Sequence, residues 1–303
     1  MRSILFRCDA GAIPAIGTGH FARCLLLAHE LCARGAEIAF VGIFDAPALN
    51  RLERAGLPYQ QLGSQELQSK QLEAAVERWR PDVFVHDRLD SDVELMASIG
   101  ARVPVVVTLD DLGPGSELAD IVVNAIVGDG SEPYANYRYV VVPPLAAAAG
   151  TAHERPQVVL TFGGYDHGSI GRRVADAVRG ADADVIWLAG PSGQMADAPA
   201  GVTVVHDAPN FGDLLATADA AVLAGGLTVF QALANGVPVI AVPQYDHQER
   251  TIQRLAQRGA VVPIEASGVD RVAEQTRAAL DELLADPELR ATLRRRALET
   301  VDG

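Results

Sequence analysis

The chain has 303 residues, of which 25 are Lys or Arg and 39 are Asp or Glu, giving a formal net charge of −14. Apolar residues make up 49% and charged residues 21%, the balance of a folded enzyme rather than of a disordered chain. At about 100–200 residues per domain the length allows two domains, the acidity disfavours nucleic acid, and no apolar run approaches the ~20 residues of a membrane span.

Ser3–Arg7 reads as a strand, and a small-residue loop from Ala10 to Gly19 leads into a helix over Phe21–Arg34. Phe21, Leu25, Ala28, Leu31 and Cys32 share one face of that helix, and Gly35 is placed to stop it. A strand over Glu37–Val41, a helix over Ala46–Ala55, a weak strand over Pro58–Leu62 and a helix from a Ser64 cap to Trp79 follow. Val83–Val85 and Val103–Leu109 are buried-type strands flanking a helix around Ser91–Ile99, and Ile121–Val123 reads as another strand. The pattern lapses between Asn124 and Gln157, where only a short strand at Tyr139–Val142 is expected. It restarts with strands at Val158–Thr161, Val185–Ala189, Val202–His206, Ala220–Ala224 and Val239–Val242. The helices of this half are expected at Ile170–Arg179, Phe211–Thr217, Thr228–Ala234, Gln248–Gln257, Val272–Leu284 and Pro287–Glu299. Such alternation implies parallel α/β sheets. Two doubly wound halves would bind a ligand in the cleft between them, at the carboxyl ends of the strands.

The residues able to carry chemistry cluster at those strand ends. After Asp9, the loop delivers Gly17-Thr18-Gly19-His20 to a helix start. Glycine there admits close approach of a ligand, and the helix terminus favours an anion. His20 reads as a general acid or base, or else as a polar residue bonded to loop backbone. Arg23, one turn on, shares its face and could hold a phosphate or carboxylate; a solvated arginine is the plainer reading. His86-Asp87 and Asp110-Asp111 close two strands and could accept sugar hydroxyls, orient His20 or bond loop backbone. No fixed ligand spacing supports a metal site.

In the second half, Phe162-Gly163-Gly164-Tyr165-Asp166 sits between a strand and a helix, with Asp166 as a possible cap. Ala224-Gly225-Gly226-Leu227-Thr228 is a strand, a glycine turn and a helix start. The backbone N–H groups of Gly226–Thr228 and the Thr228 hydroxyl suit a diphosphate, and Gln231 suits ribose hydroxyls. A turn that needs glycine only for packing is the plainer reading. His247 and Gln248, at the start of the next helix, could meet sugar or phosphate. Arg290, Arg294, Arg295 and Arg296 read as a solvated, dipole-compensating face of the last helix. Cys24 and Cys32 read as small core residues. With Cys8 they make an odd cysteine count that fits a reducing cytoplasm, and no signal segment is evident. No G-x-S-x-G elbow or Walker-type loop is present, and the first loop is too long for a G-x-G-x-x-G fingerprint.

Ile4-Leu5-Phe6-Arg7-Cys8-Asp9 followed by Ile16-Gly17-Thr18-Gly19-His20-Phe21-Ala22-Arg23-Cys24-Leu25 closely resembles the nucleotide-sugar hydrolases of pseudaminic acid biosynthesis, members of the GT-B superfamily. The resemblance extends through His86-Asp87, Leu109-Asp110-Asp111, Val123-Asn124 and Thr161–Asp166. The segment from Gly226-Leu227-Thr228 to Gly236-Val237-Pro238 is similar to the peptidoglycan N-acetylglucosaminyltransferase of lipid II synthesis. The match reaches about Pro263. It implies a GT-B fold of two Rossmann-like domains, 1–142 and 158–285, with a linker at 143–157 and a C-terminal helix at 286–303. It also implies that His20 activates water at the C1 of a UDP-sugar and that UDP leaves with inversion, without metal or cofactor. Asp9, Gly17, Gly19, Arg23, His86, Asp87, Asp110, Asp111, Asp166, His247 and Gln248 would meet the sugar side. Gly163, Gly164, Gly225, Gly226, Leu227, Thr228 and Gln231 would meet the nucleotide. Gln231 stands where the transferases carry a ribose-binding glutamate, and His247 where the hydrolases carry an asparagine. The same cleft could serve an inverting glycosyltransferase with an unknown acceptor. An acidic protein handling a diphosphate should concentrate positive potential at the helix starts after His20, Gly164 and Gly226.

Overall fold

The computed structural model describes residues 2–11, 17–63, 65–128, 130–144, 153–164, 170–189, 199–206, 208 and 211–301. The chain divides into two compact units, Met1–Val141 and Val142–Gly303.

The first unit runs β1 (Ser3–Cys8), α1 (Gly19–Ala33), β2 (Glu37–Gly42), α2 (Ala46–Arg54), β3 (Tyr59–Gln61), α3 (Gln65–Trp79), β4 (Val83–Asp87), α4 (Val93–Gly100), β5 (Val105–Leu109) and β6 (Ile121–Val123). Its six strands are parallel, in the order β3-β2-β1-β4-β5-β6. Successive side chains alternate across a strand, and both faces of the sheet are covered. Ile4, Phe6, Cys8, Val85 and Leu109 pack on Phe21, Cys24, Leu25 and Ala28 of α1. Leu5, Phe84 and Val106 pack on Leu72, Ala75 and Val76 of α3 and on Met96 and Ile99 of α4. The same alternation, carried to the end of β4, sends Asp87 to the α1 face and His86 to the other.

The second unit runs β7 (Gln157–Thr161), α5 (Ile170–Ala177), β8 (Asp184–Ala189), β9 (Val202–His206), α6 (Phe211–Thr217), β10 (Ala220–Ala224), α7 (Leu227–Ala234), β11 (Val239–Val242), α8 (Asp246–Gln257), β12 (Val261–Pro263), α9 (Val269–Ala285) and α10 (Pro287–Thr300). Its parallel sheet has the order β12-β11-β10-β7-β8-β9. Val158, Leu160, Val222, Ile240 and Val242 form its core with Val174 of α5 and Val272 and Leu280 of α9. Arg290 of α10 donates to the carbonyls of Leu283 and Leu284, at the negative end of α9.

Several elements differ from the sequence pattern. Residues 137–139 form a short 3-10 turn, capped by Asn136, in place of a strand at Tyr139–Val142. The strand β12 is too short to show an alternation. Helices α1 and α8 begin at Gly19 and Asp246, two residues before the starts expected at Phe21 and Gln248, because polar first-turn residues add nothing to an apolar period. Cys24 is buried, but Cys32 is exposed at the end of α1. The Ser64 cap and the alanine run at 146–149 lie outside the described residues. No helix among the described residues is long and apolar enough to cross a membrane.

Candidate active site

The His20 ring stands in the first turn of α1, and its Nδ1 lies 2.6 Å from Oδ1 of Asp87 at the end of β4. Arg23, one turn further along, donates Nε to Asp87 Oδ2 at 2.6 Å and Nη2 to Asp87 Oδ1 at 2.5 Å. Its Nη2 also reaches the Leu109 carbonyl at 3.2 Å, and its Nη1 pairs with Asp110 Oδ2. The Cys24 thiol donates to Asp87 Oδ2 at 3.1 Å. The helix spacing i, i+3, i+4 therefore aims His20, Arg23 and Cys24 at one carboxylate. Burial would push the Asp87 carboxyl up, but the Arg23 guanidinium, then His20, hold it well below the usual carboxylate range. Burial disfavours the charge on Arg23, yet Asp87 and Asp110 outweigh it and raise its affinity for its proton. Burial first, then the Cys8 thiol and Asp87, push the Cys24 thiol up, so it stays a donor.

Asp110 is fixed from the other side. Its backbone has φ 49°, a left-handed value that Asp tolerates better than most residues. Oδ1 accepts from the amides of Ile126 at 2.7 Å and Val127 at 3.1 Å. Before the helix start, Gly11 N–H donates to the Gly17 carbonyl at 3.0 Å. Among the described residues, a Cβ at Gly17 or Gly19 would meet nothing within 4 Å.

A second polar cluster lies on the opposite face of the sheet. Asp9 is buried, paired with Arg7, and its Oδ1 accepts from Ile43 N at 2.7 Å. Half-exposed Arg88 reaches its Oδ2 at 3.3 Å. Burial alone would raise the Asp9 carboxyl, but Arg7, the Ile43 amide and Arg88 hold it below its ordinary value. His86, beside Arg7 and Thr108 in the sheet, is fully buried, and neither ring nitrogen has a hydrogen-bond partner of normal geometry. Burial, then Arg7 and Arg88, push it down to about 3, against the weaker pull of the Asp90 backbone and Asp87. Asp111 is buried too; its Oδ1 accepts from Gly113 N at 2.9 Å, and burial pushes its carboxyl up.

In the second unit, the turns after β7, β10 and β11 adjoin. Gln244 donates Nε2 to the Phe162 carbonyl at 2.9 Å, and Gln248 Oε1 accepts from Gln244 N at 3.0 Å. A Cβ at Gly225 would come within 2.9 Å of Gln248 Cβ and 2.8 Å of Ile252 Cδ1, so packing against α8 already demands glycine there. The N–H groups of Gly225 and Gly226 donate to the carbonyls of Val242 and Ala224. That leaves Leu227 and Thr228 N–H, in the first turn of α7, as the donors without a partner among the described residues. Neither α1 nor α7 has a side-chain cap or an acidic residue in its first turn. By contrast, α2, α4 and α10 are capped by Asp45, Asp92 and Asp286. Gly163 has φ +80°, which holds the β7 turn open; Gly164 follows it. The His247 ring stacks on Tyr245 at 5.7 Å. Gln231, half-buried in α7, points its amide toward Gly212.

Several expectations need correction. Arg23 is neither solvated nor available for a phosphate, because its guanidinium is shared between two carboxylates and a carbonyl. His86 is closed off by burial rather than open to a sugar, whereas Asp87 takes the option of bonding His20. Asp9, Asp110 and Asp111 bind guanidinium groups or loop amides. Gly225 is required by packing against α8, and of the Gly226–Thr228 amides that of Gly226 is taken by the Ala224 carbonyl. Asp166 lies outside the described residues. The sequence pattern missed Arg7, Arg88 and the thiol of Cys24; the position of Cys24 four residues after His20 was the available signal for the last. Among the described residues no group of three or more His, Cys, Asp and Glu side chains is placed to hold a metal ion.

Two six-stranded parallel sheets with helices on their faces define a GT-B fold. Comparison with solved structures gives the same result. The spinosyn rhamnosyltransferase SpnG complexed with thymidine diphosphate is similar at TM-score 0.71 and 17% identity, covering 100% of this chain and 95% of the other. MurG of Acinetobacter baumannii is similar at TM-score 0.66 and 16% identity, covering 100% and 95%. In sequence, residues 171–295 match the model of the UDP-glucoronosyl and UDP-glucosyl transferase family. The spore coat polysaccharide biosynthesis protein SpsG of Bacillus subtilis is 24% identical over 275 residues, 82% of this chain and 80% of that protein.

Proposed function

We propose that the protein is a nucleotide-sugar hydrolase that breaks the C1–O bond of a UDP-sugar with inversion, in the synthesis of cell-surface amino sugars. The observation that carries this reading is the 2.6 Å contact between His20 Nδ1 and Asp87. An ionised carboxylate can only accept, so Nδ1 carries the proton and Nε2 is left as the basic nitrogen. Nε2 takes a proton from water as its oxygen bonds to C1, and the C1–O bond to the diphosphate breaks. In the second unit, the N–H groups of Leu227 and Thr228 and the Thr228 hydroxyl, at the positive end of α7, suit a diphosphate. No step needs a metal. That SpsG is a spore coat polysaccharide biosynthesis protein supports this placement, and use of a nucleotide sugar by a protein with free cysteines fits the cytoplasm.

Transfer to a hydroxyl or amine acceptor is the second reading. It is favoured by the transferase family model and by transferase neighbours, one of them with thymidine diphosphate. A panel of UDP- and TDP-sugars, assayed for nucleoside diphosphate release with and without candidate acceptors, separates the two. Hydrolysis predicts release without acceptor, and release only on adding an acceptor would replace it with transfer. No release under either condition would remove both.

A further inference from the structure

A base held by a buried carboxylate faces a conflict. The carboxylate that orients an imidazole also attracts a proton to it, and an imidazolium cannot accept a proton from water. Asp87 is fully buried, 2.6 Å from the ring, where its charge is poorly screened. Arg23 is placed against that effect. It spans both Asp87 oxygens at 2.5 and 2.6 Å, and its Nη2 also lies 3.4 Å from His20 Nδ1. Asp110 competes for the same guanidinium through Nη1, while its other oxygen is occupied by the Ile126 and Val127 amides. Among the described residues of the first unit, the groups facing the ring are thus Arg23 from its own helix, Asp87 from β4, and, through these, the Cys24 thiol and Asp110 beyond β5.

We propose that Arg23 is a positioning residue that cancels the charge of Asp87, so that the carboxylate orients His20 without protonating it, and that Asp110 sets how much of the arginine's charge is left for that task. The proposal rests on His20 being the base, and it deepens that reading by adding the device that keeps the base free.

The test is an NMR titration of the His20 ring in the whole protein, assigned by its loss in His20→Gln. It needs no substrate, so a failed titration and a failed activity assay are separate results. Arg23→Met removes a positive charge and leaves Asp87 unshared, so the His20 midpoint moves to higher pH by about one unit or more. Asp110→Asn removes a negative charge and returns more of Arg23 to Asp87, so the midpoint moves down. Arg23→Lys, which keeps the charge but not the fork, stays closer to the native midpoint than Arg23→Met does. Opposite shifts in the Met and Asn variants support charge compensation; unmoved midpoints, or shifts in the same direction, overturn it. Arg23→Met leaves two buried carboxylates unpaired and risks unfolding. In that event Asp110→Asn decides: a downward shift supports the proposal, and an unmoved or upward midpoint overturns it.

Discussion

His86 shows how one buried side chain sets a pH dependence for the whole fold. The unfolded chain binds a proton at this ring below about pH 6.5, whereas the native ring, pushed down to about 3 by burial and by Arg7 and Arg88, does not. Between these values the unfolded state holds more protons, so native stability falls as pH drops from about 6.5 toward 3. Asp9 and Asp87, both held below their ordinary values, add losses only below about pH 4. Urea unfolding at pH 6.5 and 4.5 therefore isolates the histidine. The native protein should lose roughly 2–3 kcal/mol over that window, and His86→Phe should lose much less. Equal losses in both would contradict the assignment. None of this was legible in the sequence. The strand pattern around Val83–Val85 stopped short of His86, and only the pairing of β4 with β1 and β5 shows which cations and hydroxyls surround the ring. Arg23 is a similar case. Its i+3 spacing from His20 was readable, but the two carboxylates that meet it come from residues 64 and 87 positions away.

At the scale of elements, the helix starts differ in how they are closed. Asp45, Asp92 and Asp286 close the N-termini of α2, α4 and α10, while α1 and α7 begin at glycine turns with no cap and no acid. In a chain of charge −14, leaving those two ends bare concentrates positive potential where a diphosphate is expected. Thr228→Asp tests this with two signs at once. A carboxylate in the first turn of α7 favours the helix by about 0.3–1 kcal/mol, so the melting temperature should hold or rise. The same charge repels the ligand, so UDP or TDP affinity measured by calorimetry should fall about tenfold or more. Unchanged affinity would remove α7 from the nucleotide site. Most elements were readable from apolar periods and glycine stops, because buried parallel strands and amphipathic helices leave strong patterns. The errors fell where pattern is weak: the three residues of β12, the 3-10 turn at 137–139, and the polar first turns of α1 and α8.

For the whole molecule, two α/β units of like topology carry different duties in this account. The first holds the base with its carboxylate and guanidinium, and the second offers bare helix donors to a nucleotide. The doubling of the fold was visible in the sequence as one alternation that lapses and restarts. The pairing of His20 with Asp87 was one of several options there, because spacing along a chain does not say which strand end a helix start will face. The division of duties makes a direct demand: removing the base should stop turnover and leave nucleotide binding intact. The measurement is nucleoside diphosphate release by His20→Ala beside the native protein, with UDP and TDP affinity measured on both. Turnover should be lower by about 10²–10⁴, as for loss of a general base, with affinity unchanged. Near-native turnover in His20→Ala would contradict it.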